Sequence, residues 1–77
     1  MMKYVRHRTL GFAIFPGPIW HCDAARSLGW ARSDILSAGF VAPSPDGQGL
    51  RCRGESLSLD AKAAEDDSAS LAIQIAD

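Results

Sequence analysis

The residues of this 77-residue chain whose types and spacing could do chemistry are its arginines, two histidines and two cysteines. Arg6 and Arg8 share parity with Tyr4 along one strand-like segment, and Arg51 and Arg53 share parity along another. Residues two apart in a strand lie on one face. If helices cover the opposite face of a sheet, the four guanidinium groups converge on the open side with the Tyr4 ring. Guanidinium forks hold phosphate or carboxylate through paired hydrogen bonds, and an aromatic neighbour stacks on a base. The expected partner-binding set is therefore Tyr4, Arg6, Arg8, Arg51 and Arg53. Trp30 joins it, because it follows an expected helix cap and is better placed for exposure than Trp20; exposed tryptophans anchor interfaces disproportionately. The competing explanation is that solvent-facing strand positions simply carry charge.

The remaining candidates assemble into nothing catalytic. A metal site needs three or four ligands at suitable spacing. His7, His21, Cys22 and Cys52 do not provide that, since the adjacent pair points in different directions. No metal or cofactor is expected. His21 and Cys22 on one helix sit at least a quarter-turn apart with no third orienting residue, and Ser56 and Ser58 lie in no nucleophile motif. Gly47-Gln48-Gly49 precedes no helix, so it is not a phosphate loop. The expectation is a binding protein without catalytic residues. The cysteines are expected as free thiols, because a small secreted scaffold carries more of them.

The elements that would position these residues follow from periodicity. Met2 to Phe15 reads as two strands broken near Arg8 to Gly11. Pro16-Gly17-Pro18 ends them and opens a helix with the apolar stripe Trp20, Ala24 and Leu28, capped at Gly29. Ile35 to Val41 is a central strand with Phe40 in the core. The Asp46-Gly47 turn leads to a partner strand over Leu50 to Leu59. The acids Glu65-Asp66-Asp67 mark a helix start rather than a surface for a basic partner. Leu71, Ala72 and Ile75 form the inner face of that helix, although alternation at Leu71, Ile73 and Ile75 would also suit a strand. The order is ββαββα: one α+β domain over 1–77, a mainly antiparallel four-stranded sheet with two helices on one side.

Composition frames this reading. Apolar residues make up 47% of the chain and charged ones 22%, a globular rather than disordered balance. The net charge of −1 conceals +4 over residues 1–53 and −5 over 54–77. No apolar run approaches the ~20 residues of a membrane helix. No cleavable apolar segment follows Arg6 and Arg8, so a cytoplasmic monomer is expected.

Three segments resemble small proteins encoded by phages and mobile elements. They are Lys3-Tyr4-Val5 leading to Gly11-Phe12-Ala13-Ile14-Phe15-Pro16, then Ser37-Ala38-Gly39-Phe40-Val41, then Gly54-Glu55-Ser56-Leu57-Ser58-Leu59. Some proteins of that origin are anti-CRISPR proteins, which bind a CRISPR–Cas effector and block its recognition of target DNA. The resemblance implies a stoichiometric inhibitor without a cofactor, acting on a host protein or ribonucleoprotein complex. It assigns no site residue. The alternative expectation is a small nucleic-acid-binding or regulatory protein that uses the arginine face directly.

Overall fold

The computed structural model describes residues 1–76, and its N-terminal segments pair as a hairpin, β1 (Met2–His7) with β2 (Gly11–Pro16). The break falls where expected. Gly11 adopts φ +94°, and the His7 ring accepts the Thr9 and Leu10 N–H groups at 3.1 and 3.2 Å. β3 (Ile35–Pro43) joins the other side of β1, and β4 (Leu50–Arg53) joins β3. The resulting sheet has the order β2-β1-β3-β4 with every pairing antiparallel. Asp46 shapes the β3–β4 turn by accepting the Gln48 N–H at 2.8 Å.

α1 (His21–Ser27) ends as its sequence predicts. Gly29 takes φ +75°, its N–H donates to Arg26 O, and the Trp30 N–H donates to Ala25 O. That pair of hydrogen bonds is the Schellman stop. α2 (Asp67–Ala76) begins at the acidic cluster, so the terminal segment is helix rather than strand.

Three expectations are corrected. The strand after the Asp-Gly turn does not reach Leu59. Gly54 at φ +85° diverts the chain into a separate hairpin, β5 (Glu55–Ser56) with β6 (Ala61–Lys62). The helices also lie on opposite faces, not on one side. Val5 packs with Phe15, Ala25 of α1, Ile35 and Ala38, whereas Tyr4, its neighbour of opposite parity, packs with Val41 and Leu71 of α2. β1 and β3 are central strands with apolar side chains of both parities, and such strands need cover on both faces. Finally, the helices bury different faces from those expected. α1 turns His21 and Ala25 inward and leaves Trp20 and Leu28 exposed; α2 buries Leu71 and exposes Ala72 and Ile75. Phe40 is only partly buried.

α2 lies across all four strands. Ser68 Oγ accepts the Cys52 N–H of β4 at 2.8 Å. Asp67 bonds Ser37 of β3 and both Tyr4 and Arg6 of β1. Gln74 brackets Phe12 of β2, accepting its N–H at 2.8 Å and donating to its carbonyl at 3.1 Å. Among the described residues no helix is long and apolar enough to cross a membrane.

Candidate functional site: a groove between α1 and the β5–β6 hairpin

The expected arginine face does not form. Cross-strand partners share a face, and register pairs Tyr4 with Gly39 and Arg6 with Ser37, on the α2 side. Arg53 pairs with Phe40 and Arg51 with Ala42, on the α1 side. The sheet therefore separates Tyr4 and Arg6 from Arg51 and Arg53. Tyr4 is fully buried and its hydroxyl donates to Asp67 at 2.5 Å. Burial, then that bond, push its phenol well above the ordinary range. Arg6 donates to Asp67 at 2.9 Å and to Asp66 at 3.2 Å, so the acidic run meets a cation of its own chain. Arg8 lies beyond the strand and donates to Ser33 O. Trp30 packs against the core with its ring edge-on to His7, and Trp20 is the exposed tryptophan instead. Arg51 and Arg53 remain exposed.

A concave site lies on the α1 side. It is a groove of about 610 Å³ with Trp20 and His21 on one wall, Lys3 and Phe40 on the floor, and Gly54 to Ser58 on the other wall. That volume falls within the roughly 300–1,000 Å³ typical of ligand clefts. Trp20 is 63% exposed and Leu57 86% exposed, so two large apolar side chains flank it in water.

Local chemistry explains each wall. The Ile19 N–H donates to Pro16 O, and Lys3 Nζ donates to Ile19 O at 3.0 Å, which fixes the chain entering α1. Trp20 is the extended residue at the helix start, so its side chain stands off the helix stripe instead of lying along it. The His21 ring bonds Gly39 O at 2.8 Å and stands edge-on to Phe15 and Phe40. Burial lowers its pKa, which keeps the ring neutral near pH 7. Opposite, the Cys22 N–H donates to Ser58 Oγ at 3.2 Å, tying the hairpin to the first turn of α1. Arg32 holds the hairpin turn from below, donating to Leu59 O, Asp60 O and Ile35 O. Gly54 is required, because a Cβ there would lie 3.2 Å from the Phe40 ring in a backbone region that side chains disfavour.

Among the described residues no cluster of three or more His, Cys, Asp or Glu could hold a metal. Burial pushes the Cys52 thiol up, away from the nucleophilic thiolate. The sequence signal for this groove was weak: Trp20 fits the helix stripe, and Leu57 reads as strand. No known family, curated protein or solved structure matches this chain.

Proposed function

We propose that this protein is a non-enzymatic binding module that inhibits a host macromolecular complex, using the groove between Trp20 and Leu57 as its docking face. The observation that carries this reading is the exposure of those two side chains across an apolar concavity. Large apolar groups left in water favour burial, and a tryptophan beside a pocket is a typical interface anchor. The polar chemistry supports the same reading. Asp67, Tyr4, Arg6 and Ser37 satisfy one another inside the fold, as a structural network does. The resemblance to phage-encoded proteins of the anti-CRISPR kind makes a CRISPR–Cas effector the complex to test first. The nucleic-acid reading is left without the arginine convergence on which it rested.

The test is target cleavage by purified effectors with the chain present, alongside phage plating on a host with active interference. The unsubstituted chain is expected to block cleavage and restore plating. Leu57→Asp and Trp20→Ala, both at exposed positions, should keep the circular dichroism spectrum and lose inhibition. Effectors that cleave unhindered at saturating chain would remove the anti-CRISPR reading. Full inhibition by both folded variants would remove the groove.

A further inference from the structure

The groove has charged company on its face of the sheet. Register sets Lys3 across from Phe40, and Phe40 across from Arg53, so cation, ring and cation form one row over three strands. Lys3 Nζ lies 5.9 Å from the Phe40 ring centroid, close enough to polarise the floor. Arg53 is exposed and its side chain makes no hydrogen bond or ion pair among the described residues. Among the described residues Glu55 is the one acid lining the groove, and Lys62 stands directly across from it in the β5–β6 pairing. The acids that answer the basic half of the chain, Asp66 and Asp67, sit behind the sheet on Arg6. The groove thus presents an apolar slot bordered by Lys3, whose ammonium donates to the Ile19 carbonyl, and by Arg53, and neither cation forms an ion pair among the described residues.

We infer that the groove takes an acidic protein segment: one large apolar side chain enters between Trp20 and Leu57, and carboxylates on either side meet Lys3 and Arg53. This inference rests on the groove being the docking face. Apolar burial supplies the anchor, and the bordering cations set register and steer the encounter. A single nucleic-acid strand fits less well. It needs a basic track that follows repeated phosphates beneath a series of stacking rings. Here Lys3 and Arg53 are single cations on either side of Phe40 rather than a track, and the wall opposite Trp20 is the aliphatic Leu57.

The test uses labelled synthetic peptides read by fluorescence anisotropy with the full chain. The first carries a central phenylalanine flanked by glutamates. A second replaces the glutamates with lysines, a third replaces the phenylalanine with alanine, and labelled oligothymidylate is the fourth probe. The glutamate–phenylalanine peptide is expected to bind about tenfold or more tighter than either peptide analogue. Arg53→Glu should erase that preference and move it toward the lysine peptide, while Leu57→Asp should remove the dependence on phenylalanine. Equal binding of the glutamate and lysine peptides, or none by the glutamate–phenylalanine peptide, would overturn the inference. So would tighter, steeply salt-dependent binding of oligothymidylate. The two readings fail separately. A partner lost on Leu57→Asp but kept on both Lys3→Glu and Arg53→Glu ends the acidic-segment inference alone, whereas one kept on Leu57→Asp and Trp20→Ala ends the groove itself.

Discussion

Asp67 ties α2 to three other parts of the molecule through one carboxylate. Its Oδ1 accepts from Arg6 and Ser37, and its Oδ2 accepts from Tyr4 and the Ala64 N–H, so α2, β1, β3 and the chain before α2 meet at one buried group. Removing it leaves the Tyr4 and Ser37 hydroxyls and the Ala64 N–H without their acceptor, at about 1–3 kcal/mol for each buried group, while Arg6 keeps Asp66. A domain of this size has a total stability of only about 5–15 kcal/mol. Asp67→Ala is therefore expected to unfold much of the chain at room temperature. Tyr4→Phe removes one donor and should cost only about 1–3 kcal/mol. Urea titrations of the two variants give the order, and a smaller loss for Asp67→Ala than for Tyr4→Phe would show that the carboxylate is not the tie. His21 leads to a second expectation. Burial lowers its folded pKa, so below the ordinary histidine value the unfolded chain takes up a proton that the folded ring refuses. Its contribution to stability is complete above about pH 6.5 and declines as pH falls through that value. The melting midpoint should drop on acidification in that window, and His21→Phe should flatten the slope; an unchanged slope would place the titration elsewhere.

At the scale of elements, α2 does two things at once. It covers the Tyr4–Val41 face through Leu71, and its polar side chains occupy backbone groups on both outer strands. Phe12 of β2 turns its N–H and carbonyl off the sheet, where Gln74 takes both. Two residues on, Ile14 shares that orientation, and then Pro16 offers no N–H and gives its carbonyl to Ile19. Among the described residues of this edge, Ile14 alone is left with both groups open. Such blunting suppresses edge-to-edge pairing between chains. The double variant Pro16→Val with Gln74→Ala should restore a run of free donors and acceptors. Sedimentation velocity should then show larger, concentration-dependent species that neither single variant forms. A double variant that sediments like the unsubstituted chain would mean that the edge is guarded by something other than these contacts.

For the whole molecule, the division of charge along the chain becomes internal complementarity, because Arg6 from the basic half takes Asp66 and Asp67 from the acidic half. The Cα radius of gyration is 11.5 Å, close to the roughly 11.5 Å expected for a compact chain of this length. Among the described residues the two cysteines are not joined, and no group of three or more His, Cys, Asp or Glu is placed to hold a metal. Cys22 lies on α1 and Cys52 packs toward α2 on the other side of the sheet, both as free thiols. Thermal melts with and without chelator and reductant should therefore overlay. A fall of many degrees with either reagent would reveal a structural cysteine or metal and overturn this expectation.

The sequence by itself determined what local chemistry governs. Gly11 placed the first turn, Gly29 ended α1, Asp46-Gly47 made the β3–β4 turn, and the acidic cluster started α2. The strand order and the use of both faces needed the tertiary structure, because parity relates residues only within one strand. Arg6 and Arg51 each alternate correctly, yet only the register through β1, β3 and β4 shows that the sheet lies between them. The terminal helix was legible, but not that its first buried residue would be the charged Asp67, since a buried carboxylate is tolerated only where Tyr4, Arg6 and Ser37 arrive from distant strands. The groove was the least legible feature. Trp20 is apolar and in phase with α1, so periodicity assigns it inward. It stands in water because its extended backbone precedes the helix and because the chain turns at Gly54 into a hairpin that walls the groove rather than covering the ring.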